Sequence, residues 1–298
     1  MMREFLRISR FISQHPLASK KKMYAYKRFI GWQLSQRLVN HPVLYPFVEN
    51  SFLLIEKGMA GATGNIYTGL LEFNDMAFVM HVLRNGDLFA DIGANIGAYT
   101  ILASGNAGAR TVAVEPIPST FARLKRNVVL NEMNDLVDLQ LCGVGETPGV
   151  LRFTATDDTV NHVMSENEQR NGGSFVEVQI RKLDEIFKDE VPTVMKMDIE
   201  GFEFPALRGG TQTLSSPVLK ALIIELNGSG ARYGYDDRQI LELMSDHGFK
   251  PFQYDPFTRK LKPITEFEHA NVLYLKDLDW VTDRCEKARK FSIFQQDV

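Results

Sequence analysis

The stretch Leu88-Phe89-Ala90-Asp91-Ile92-Gly93-Ala94-Asn95-Ile96-Gly97-Ala98-Tyr99-Thr100 decides the fold of this chain of 298 residues. Its apolar beginning predicts a buried strand. Its two glycines predict a tight turn into a helix, because a residue without a Cβ lets the backbone bend and approach a ligand closely. Free N–H groups at the start of that helix favour an anionic ligand group. We therefore expect a polar small molecule on this turn.

Short apolar strands and helical segments alternate on the C-terminal side of this stretch. Strands are predicted at 111–114, 137–144, 193–199 and 219–226, and helices at 96–104, 118–131, 203–214 and 237–247. The alternation indicates right-handed βαβ units and a parallel sheet. The last two strands, at 249–254 and 271–275, are joined by a turn-rich span without room for a crossover helix. We expect this last pair to be antiparallel.

The composition is that of an ordinary soluble protein, with 44% hydrophobic and 24% charged residues and a formal net charge of −3. Cys142 and Cys285 lie far apart and show no metal-ligand spacing, so neither a disulfide framework nor a structural zinc site is indicated. No apolar run is long enough to cross a bilayer, and the N-terminus lacks the apolar segment of a signal peptide. A cytoplasmic location is expected.

The first part of the chain is strongly basic. Residues 1–37 carry nine lysines and arginines against the single acid Glu4, and aromatic and aliphatic residues lie among them. Pro16, Pro42 and Pro46 separate predicted helices. The segment is interpreted as a helical hairpin packed on the main domain, and the alternative is peripheral contact with an anionic membrane surface. The predicted organisation is a basic amphipathic helical region at 1–60, the main domain at 61–276 and a peripheral C-terminal helix at 277–298.

Two strand ends carry acids at the spacing of a nucleoside site. Asp91 ends the first strand, and Glu115 ends the second about twenty residues later, where an acid accepts hydrogen bonds from ribose hydroxyls. The turn from Gly93 to Gly97 is not G-x-G-x-x-G, so it does not specify a close approach to a pyrophosphate. A cofactor with an amino-acid end suits it better, because Asp91 can face an ammonium group and the helix start a carboxylate. S-adenosylmethionine fits this description, and an NAD-dependent oxidoreductase is the alternative.

These residues resemble the FkbM family of S-adenosylmethionine-dependent methyltransferases. The resemblance rests on the turn from Asp91 to Gly97, on Glu115-Pro116, on Leu183-Asp184 and on the run from Lys196 to Glu203. It implies an α/β, Rossmann-like class I methyltransferase fold with a seven-stranded, mostly parallel sheet whose last strand is antiparallel. It also implies O-methylation of a sugar, glycan or other natural-product hydroxyl. The cofactor-binding residues predicted in this way are Asp91, Gly93, Asn95, Gly97, Thr100, Glu115, Pro116 and Gly143.

The fourth predicted strand ends in groups that we expect to be catalytic. A central parallel strand is covered on both faces, so Lys196 needs an acidic partner there. Asp198, Glu200 and Glu225 all lie at the carboxyl ends of adjacent strands, where open α/β sheets build their sites. The predicted catalytic residues are Lys196, Asp198, Glu200 and Glu225, with Asp198 or Glu200 taking a proton from the acceptor. No metal ligand is predicted; the alternatives are a structural ion-pair network and a Mg²⁺ site formed by Asp198, Glu225 and Asn227.

A polar insertion at residues 154–174 interrupts the alternation. It is interpreted either as a solvent-exposed loop or as a substrate lid, with His162 as its most interesting side chain. No Asn-Pro-Pro-Tyr or Asp-Pro-Pro-Tyr motif follows the fourth strand, and the acids there would repel a phosphate backbone, so nucleic acid is not expected as a substrate. The expected partner is a small-molecule or glycan acceptor. A non-catalytic nucleoside-binding protein that contacts a membrane is a further alternative.

Overall fold

A computed structural model describes residues 2–39, 41–154, 161–165, 168, 174–265 and 270–298. Within these residues, the central sheet has eight strands. In chain order they are β1 (Leu88–Ile92), β2 (Arg110–Val114), β3 (Val137–Gln140), β4 (Val194–Met197), β5 (Ala221–Leu226), β6 (Lys250–Asp255), β7 (Lys260–Pro263) and β8 (Ala270–Leu275). Across the sheet the order is β7-β6-β8-β5-β4-β1-β2-β3.

The strand directions confirm the predicted Rossmann-like sheet. Strands β3, β2, β1, β4 and β5 are parallel to one another. The last strand, β8, lies between β5 and β6 and is antiparallel to both. The sheet has one strand more than predicted, because β7 pairs with β6 at the edge, within the span that joins the last two predicted strands.

Helices are found at each of the predicted places 96–104, 118–131, 203–214 and 237–247, and two more, Ala60–Thr68 and Leu183–Ile186, lie where no helix was predicted. In chain order the helices are α1 (Met2–Gln14), α2 (Lys22–Leu38), α3 (Ala60–Thr68), α4 (Phe73–Val82), α5 (Ala98–Ile101), α6 (Pro118–Leu130), α7 (Leu183–Ile186), α8 (Glu203–Arg208), α9 (Thr211–Ser215), α10 (Asp237–Asp246) and α11 (Leu278–Glu286). A π-helical turn, Leu102–Asn106, continues α5. None of the helices in the described parts of the chain has the length and apolar character needed to cross a bilayer.

The predicted helix at 203–214 is divided into α8 and α9. A Cβ on Gly209 would lie only 2.2 Å from the carbonyl oxygen of Gly145, so the chain passes close to a neighbouring loop at this point. The carboxylate of Asp184 then accepts hydrogen bonds from the backbone N–H groups of Gln212 and Thr213, at 3.0 and 2.8 Å. These bonds satisfy free donors at the start of α9 and allow a new helix to begin there.

A β-hairpin replaces the helices predicted after α2. Its strands, Val43–Pro46 and Phe52–Ile55, pair antiparallel. Residues in both strands alternate in exposure, which is the period of a strand that packs on one face. The helical prediction for residues 1–60 is therefore wrong for 43–55, where prolines stop the helix and the apolar period changes to two.

A hydrophobic core joins both ends of the chain to one face of the sheet. It contains Ile12 and Trp32 from the N-terminal helices and Phe78 from α4. The C-terminal segment, predicted to be a peripheral helix, contributes further residues to this core, namely Val281, Cys285, Phe291, Ile293 and Phe294. The helical prediction for 277–298 is wrong beyond Glu286, where α11 ends: the strands Ser292–Ile293 and Gln296–Asp297 pair antiparallel. The domain boundaries themselves stay a prediction.

The buried side chain of Asn127 links the N-terminal hairpin to the glycine turn. Its Oδ1 accepts from the N–H of Leu54 at 2.7 Å, and its Nδ2 donates to the carbonyl of Ile96 at 2.8 Å. We expect Asn127→Ala to lower the unfolding free energy by about 2–4 kcal/mol, because two buried backbone groups lose their partners. Urea denaturation measures this loss. Asn131→Ala is the control, since the partly exposed Asn131 bonds the hairpin and the carbonyl of Asn127 but not the glycine turn. An equal loss in both variants would contradict the expectation.

Candidate active site

A cavity of about 260 Å³ lies at the carboxyl ends of β1, β2, β4 and β5. The turn after β1 and the ends of the other three strands form its floor, while α3, α4 and the polar insertion contribute to its walls. The predicted site residues on its lining are Gly93, Asn95, Glu115, Pro116, Lys196, Asp198, Glu200 and Glu225. The structure therefore brings most of the predicted cofactor and catalytic residues to one place.

The glycine turn takes a backbone conformation that its residue types allow. Gly93, Asn95 and Gly97 have φ values of +81°, +50° and +90°. A Cβ on Gly93 would lie 1.9 Å from the carbonyl oxygen of Asp198, so only glycine permits this contact between the two loops. Asn95 tolerates the left-handed conformation because its Oδ1 accepts a hydrogen bond from the N–H of Ile96 at 2.7 Å.

Glu115 is tied to the glycine turn through both carboxylate oxygens. Its Oε2 accepts from the backbone N–H of Asn95 and its Oε1 from that of Ile117, each at 3.0 Å. Burial raises the pKa of Glu115 to about 7, although the two amides favour the charged form. The predicted proximity of this acid to the glycine turn is thus observed. Its contact with a ribose stays a prediction.

Four predicted cofactor residues do not line this cavity. Asp91 is buried beneath the turn, where its Oδ2 accepts from the hydroxyl of Thr100 at 2.6 Å. Gly97 packs against Leu124. Gly143 lies on an adjoining small apolar space, which Pro116, Phe153, Ile199 and Phe202 also line. These residues support the turn or the neighbouring wall, and their role as ligands stays a prediction.

Lys196 is almost fully buried and has acidic partners, as predicted. Its Nζ donates to Oδ2 of Asp198 at 2.8 Å and lies 4.8 Å from the centre of the Tyr99 ring. Burial alone would lower the pKa of this lysine, but the charges of Asp198, Glu72 and Asp91 outweigh burial and raise it. A permanent positive charge therefore lies at the end of β4.

Three carboxylates meet above this lysine. Oxygens of Asp198, Glu200 and Glu225 all lie within 4.8 Å of one another. Burial raises the pKa of Glu225, and the charges of Asp198 and Glu200 raise it further. Burial also opposes ionisation of Asp198, but Lys196 outweighs it and holds the pKa of Asp198 below its usual value. A proton in this cluster is therefore held by Glu225 rather than by Asp198.

Two of these three carboxylates, Asp198 and Glu225, belong to the Mg²⁺ site that the sequence left as an alternative, together with Asn227. The side chain of Asn227 is exposed, and its Oδ1 accepts from the backbone N–H of Ser229 at 2.9 Å. Glu200 forms a group of carboxylate oxygens with Asp198 and Glu225, whereas Asn227 is not among the described residues that line the cavity. Carboxylate oxygens suit Mg²⁺, but one oxygen of Asp198 already accepts from Lys196. The geometry can hold either a shared proton or a divalent cation.

Sequence reasoning missed the side chains that α3, α4 and α5 bring to the cavity. The hydroxyl of Tyr99 donates to Oε2 of Glu72 at 2.7 Å, and both residues line the cavity together with Asn65 and Met76. No motif marks Glu72, which precedes α4. Tyr99 belongs to the glycine-turn stretch, and the helical period could have placed it on the inward face of α5.

The polar insertion contributes Asn161 to the cavity lining. Val163 pairs with Phe153 of the strand Gly149–Thr154, which lies antiparallel to the strand Phe175–Arg181, and the hydroxyl of Tyr233 donates to the carbonyl of Val163 at 2.7 Å. The ring of His162 lies 2.9 Å from Glu168 rather than on the cavity lining. Residues 155–160, 166–167 and 169–173 lie outside the described residues, so the lid stays a prediction.

Methyltransferases and nicotinamide-dependent oxidoreductases both have a glycine turn after the first strand, and comparison with known proteins distinguishes between them. The methyltransferase FkbM domain family matches residues 91–251, which is more than half of the chain. The protein belongs to this family. The family assignment and the fold support the methyltransferase interpretation over the nicotinamide-dependent oxidoreductase.

Several curated methyltransferases are similar to this FkbM-family chain over about three fifths of its length. Methyltransferase sdnD of Sordaria araneosa is 24% identical over 209 residues, covering 59% of this chain and 79% of the relative. The 31-O-demethyl-FK506 methyltransferase FkbM of Streptomyces tacrolimicus is 25% identical, with 59% and 78% covered. The hexuronic acid methyltransferase AglP of Haloferax volcanii is 28% identical, with 59% and 68% covered.

Among solved structures, the methyltransferase FkbM of Methylobacillus flagellatus KT superposes with a TM-score of 0.42 at 19% identity. The match covers 63% of this chain and 43% of that one.

The contact between Gly93 and Asp198 provides a test of the cofactor turn. We expect Gly93→Ala to weaken binding of S-adenosylhomocysteine at least about tenfold, because the new Cβ forces the turn away from β4. Isothermal titration calorimetry measures the affinity. Gly86→Ala is the matched control, since Gly86 has a similar φ of +93° and open space around its missing Cβ. Equal affinities of the two variants would show that the turn does not hold this ligand.

Proposed function

We propose that this protein is an S-adenosylmethionine-dependent O-methyltransferase whose acceptor is a neutral, polyhydroxylated compound such as a sugar. The observation that carries the proposal is the position of Glu225. This carboxylate lies on the lining of the cofactor cavity and also on that of a second, adjoining cavity of about 640 Å³. A group that takes the acceptor proton has to lie at such a junction.

The first cavity has the features needed to hold the cofactor. Backbone of the glycine turn forms one wall, and the buried Glu115 lies where a ribose acid is expected. Pro116, Ile117 and Phe153 provide apolar surface for an adenine ring. S-adenosylmethionine supplies an electrophilic methyl group when bound. The remaining chemistry belongs to the side chains that orient the acceptor and accept its proton.

Glu225 is the proposed base, in place of the Asp198 or Glu200 expected from the sequence. Asp198 is engaged by Lys196 at 2.8 Å, which makes its carboxylate a weak proton acceptor. Oε2 of Glu225 is buried and has no hydrogen-bond partner in the described structure. The pKa of Glu225, raised to about 8, makes its ionised form a stronger base than an ordinary carboxylate, and this form predominates only above that pH. Lys196 and Asp198 are then positioning residues for Glu225.

The second cavity is proposed to bind the acceptor. Its lining combines the carboxylates Glu72, Asp75 and Glu225, the amides Asn74, Gln253 and Asn271, and the rings His15, Phe73, Phe252 and Tyr254. Carboxylates and amides accept hydrogen bonds from hydroxyl groups, while aromatic rings cover the apolar faces of a sugar ring. No lysine or arginine of the described residues lines this cavity. A neutral polyol therefore fits it better than an anionic one.

The names of the relatives point to different acceptor classes, and one of them specifies methylation at oxygen. One relative is named for 31-O-demethyl-FK506 and another for hexuronic acid. The acidic lining of the second cavity separates this protein from an enzyme that has to bind a uronate.

We expect Glu225→Gln to reduce kcat by about 10²–10⁴-fold, the usual effect of losing a general base, with little change in cofactor affinity. In the unchanged protein, the rate should rise with pH through the raised pKa of Glu225, because only the charged form accepts a proton. Release of S-adenosylhomocysteine, with methyl hexosides and 31-O-demethyl-FK506 as acceptors, measures both effects.

Two controls make this test specific. Glu200→Gln keeps the neighbouring carboxylate shape and should reduce kcat less than about tenfold. Addition of EDTA should leave the rate unchanged. Loss of activity with EDTA and its recovery with Mg²⁺ would instead assign Asp198, Glu200 and Glu225 to a metal site.

The acceptor cavity predicts discrimination by charge. A neutral methyl hexoside should be methylated at least about tenfold faster than the matching hexuronide, because Glu72 and Asp75 repel a carboxylate. Burial and the charge of Glu72 raise the pKa of Asp75 to about 7, so discrimination should grow as the pH rises above 7 and Asp75 ionises. Comparison of kcat/KM for the two acceptors measures it. Asp75→Asn should lower the ratio of kcat/KM for the hexoside to that for the hexuronide. Equal kcat/KM values for the two acceptors in the unchanged protein would exclude this cavity as the acceptor site.

A further inference from the structure

Helix α2 carries a stripe of exposed apolar side chains on its outer face. Met23, Ile30, Leu34 and Leu38 have 86%, 52%, 51% and 83% of their surface accessible. Their spacing of seven, four and four residues places them along one side of the helix, over about 22 Å. Single exposed apolar residues are common on proteins, but an aligned row of four is not.

The opposite face of α2 accounts for the fold of this region. Ala25, Phe29 and Trp32 are buried. The ring of Phe29 packs edge-on against Tyr67 of α3, and Nε2 of Gln33 donates to the hydroxyl of Tyr67 at 3.3 Å. Because α2 is already held by this inward face, the outer stripe is not needed for folding. It is available to an external partner.

Cations accompany this stripe and acids do not. Lys27 and Arg37 are exposed and lie on the same side of the helix. Lys20 and Lys21 precede the helix, and Lys22 is its first residue. The sequence contains no aspartate or glutamate from residue 5 to residue 48. The surface therefore combines apolar and positively charged groups, which is the pattern of helices that lie in the interface of an anionic bilayer.

Other occupants suit this surface less well. A second copy of the chain, docked through a two-fold axis, would bring Lys27 and Arg37 of both copies together without acids to neutralise them. Nucleic acid would satisfy the cations, but its phosphate backbone offers no apolar environment for the four side chains. An anionic lipid surface suits both the cations and the apolar side chains. The long lysine and arginine side chains reach the headgroups, while the apolar side chains enter the acyl region.

We propose that the outer face of α2, defined by Met23, Lys27, Ile30, Leu34, Arg37 and Leu38, docks the protein peripherally on an anionic membrane. The helix lies parallel to the membrane plane and does not span it. The α3 helix, against which α2 packs, also contributes Gly61, Ala62 and Asn65 to the cofactor cavity. Docking would thus place the catalytic cavity one helix layer away from the lipid surface.

Vesicle co-sedimentation of the full chain tests this surface independently of any methyl transfer. We expect the protein to bind vesicles of phosphatidylcholine with about one third phosphatidylglycerol, and to bind pure phosphatidylcholine vesicles at least about tenfold more weakly. Binding to the anionic vesicles should weaken as salt is added, because the headgroup attraction is screened.

Two variants, one within the stripe and one outside it, test whether the stripe is the surface that binds the vesicles. The variant M23S/I30S/L34S/L38S should lose at least about tenfold in vesicle partitioning. The control V129S/L141S/V150S/V218S changes four other apolar residues that are 48–51% exposed and should bind as the unchanged protein does. Circular dichroism and the unfolding temperature verify that both variants fold. Unchanged binding by the stripe variant, or no binding of the unchanged protein to anionic vesicles, overturns the proposal. Dimerisation that the stripe variant abolishes, without vesicle binding, assigns the surface to a second copy instead.

Discussion

A buried positive charge organises the candidate active site. Lys196 lies at the end of a central strand, where solvent cannot stabilise its ammonium group, so the surrounding acids have to do so. Asp198 bonds it directly, while Asp91 contributes its charge from within β1 and Glu72 from the residue before α4. The lysine thereby permits several carboxylates to lie close together in a small volume. Without this charge, their mutual repulsion would spread the loops that form both cavities.

The fold was largely predictable because its repeating part follows from local patterns. Apolar runs that end at Asp91 and Glu115 predict buried parallel strands, and the glycine turn predicts the helix between them. The errors lie where distant contacts decide the structure. Gly209 ends a helix because its backbone approaches Gly145, and residues 43–55 form a hairpin whose backbone bonds Asn127 and Asn131. Neither contact leaves a signal within its own stretch of sequence.

The candidate site was predictable to the extent that it lies at strand ends. Parallel strands bring Lys196, Asp198 and Glu225 to one edge, whichever way the helices pack. The role of each of these side chains depends on contacts in three dimensions, which the spacing of the residues in the sequence does not specify. Asp198 is engaged by the lysine, Oε2 of Glu225 has no hydrogen-bond partner among the described residues, and Asn227 accepts from the N–H of Ser229. The second cavity was missed because Asp75 and Asn271, bonded at 3.1 Å, come from elements almost two hundred residues apart.

The strand order also constrains how the chain is assembled during synthesis. Strand β8, residues 270–275, separates β5 from β6 and supplies the only described pairing that joins β6 to the rest of the sheet. Residues 250–263 therefore leave the ribosome before their docking partner exists, and the edge of β5 stays uncovered for the same interval. Chaperone capture of nascent chains is expected to concentrate in this interval, since unpaired strand edges are prone to wrong association. The segment 91–251 that matches the family ends within β6 and omits β8, so it does not contain the whole of this sheet.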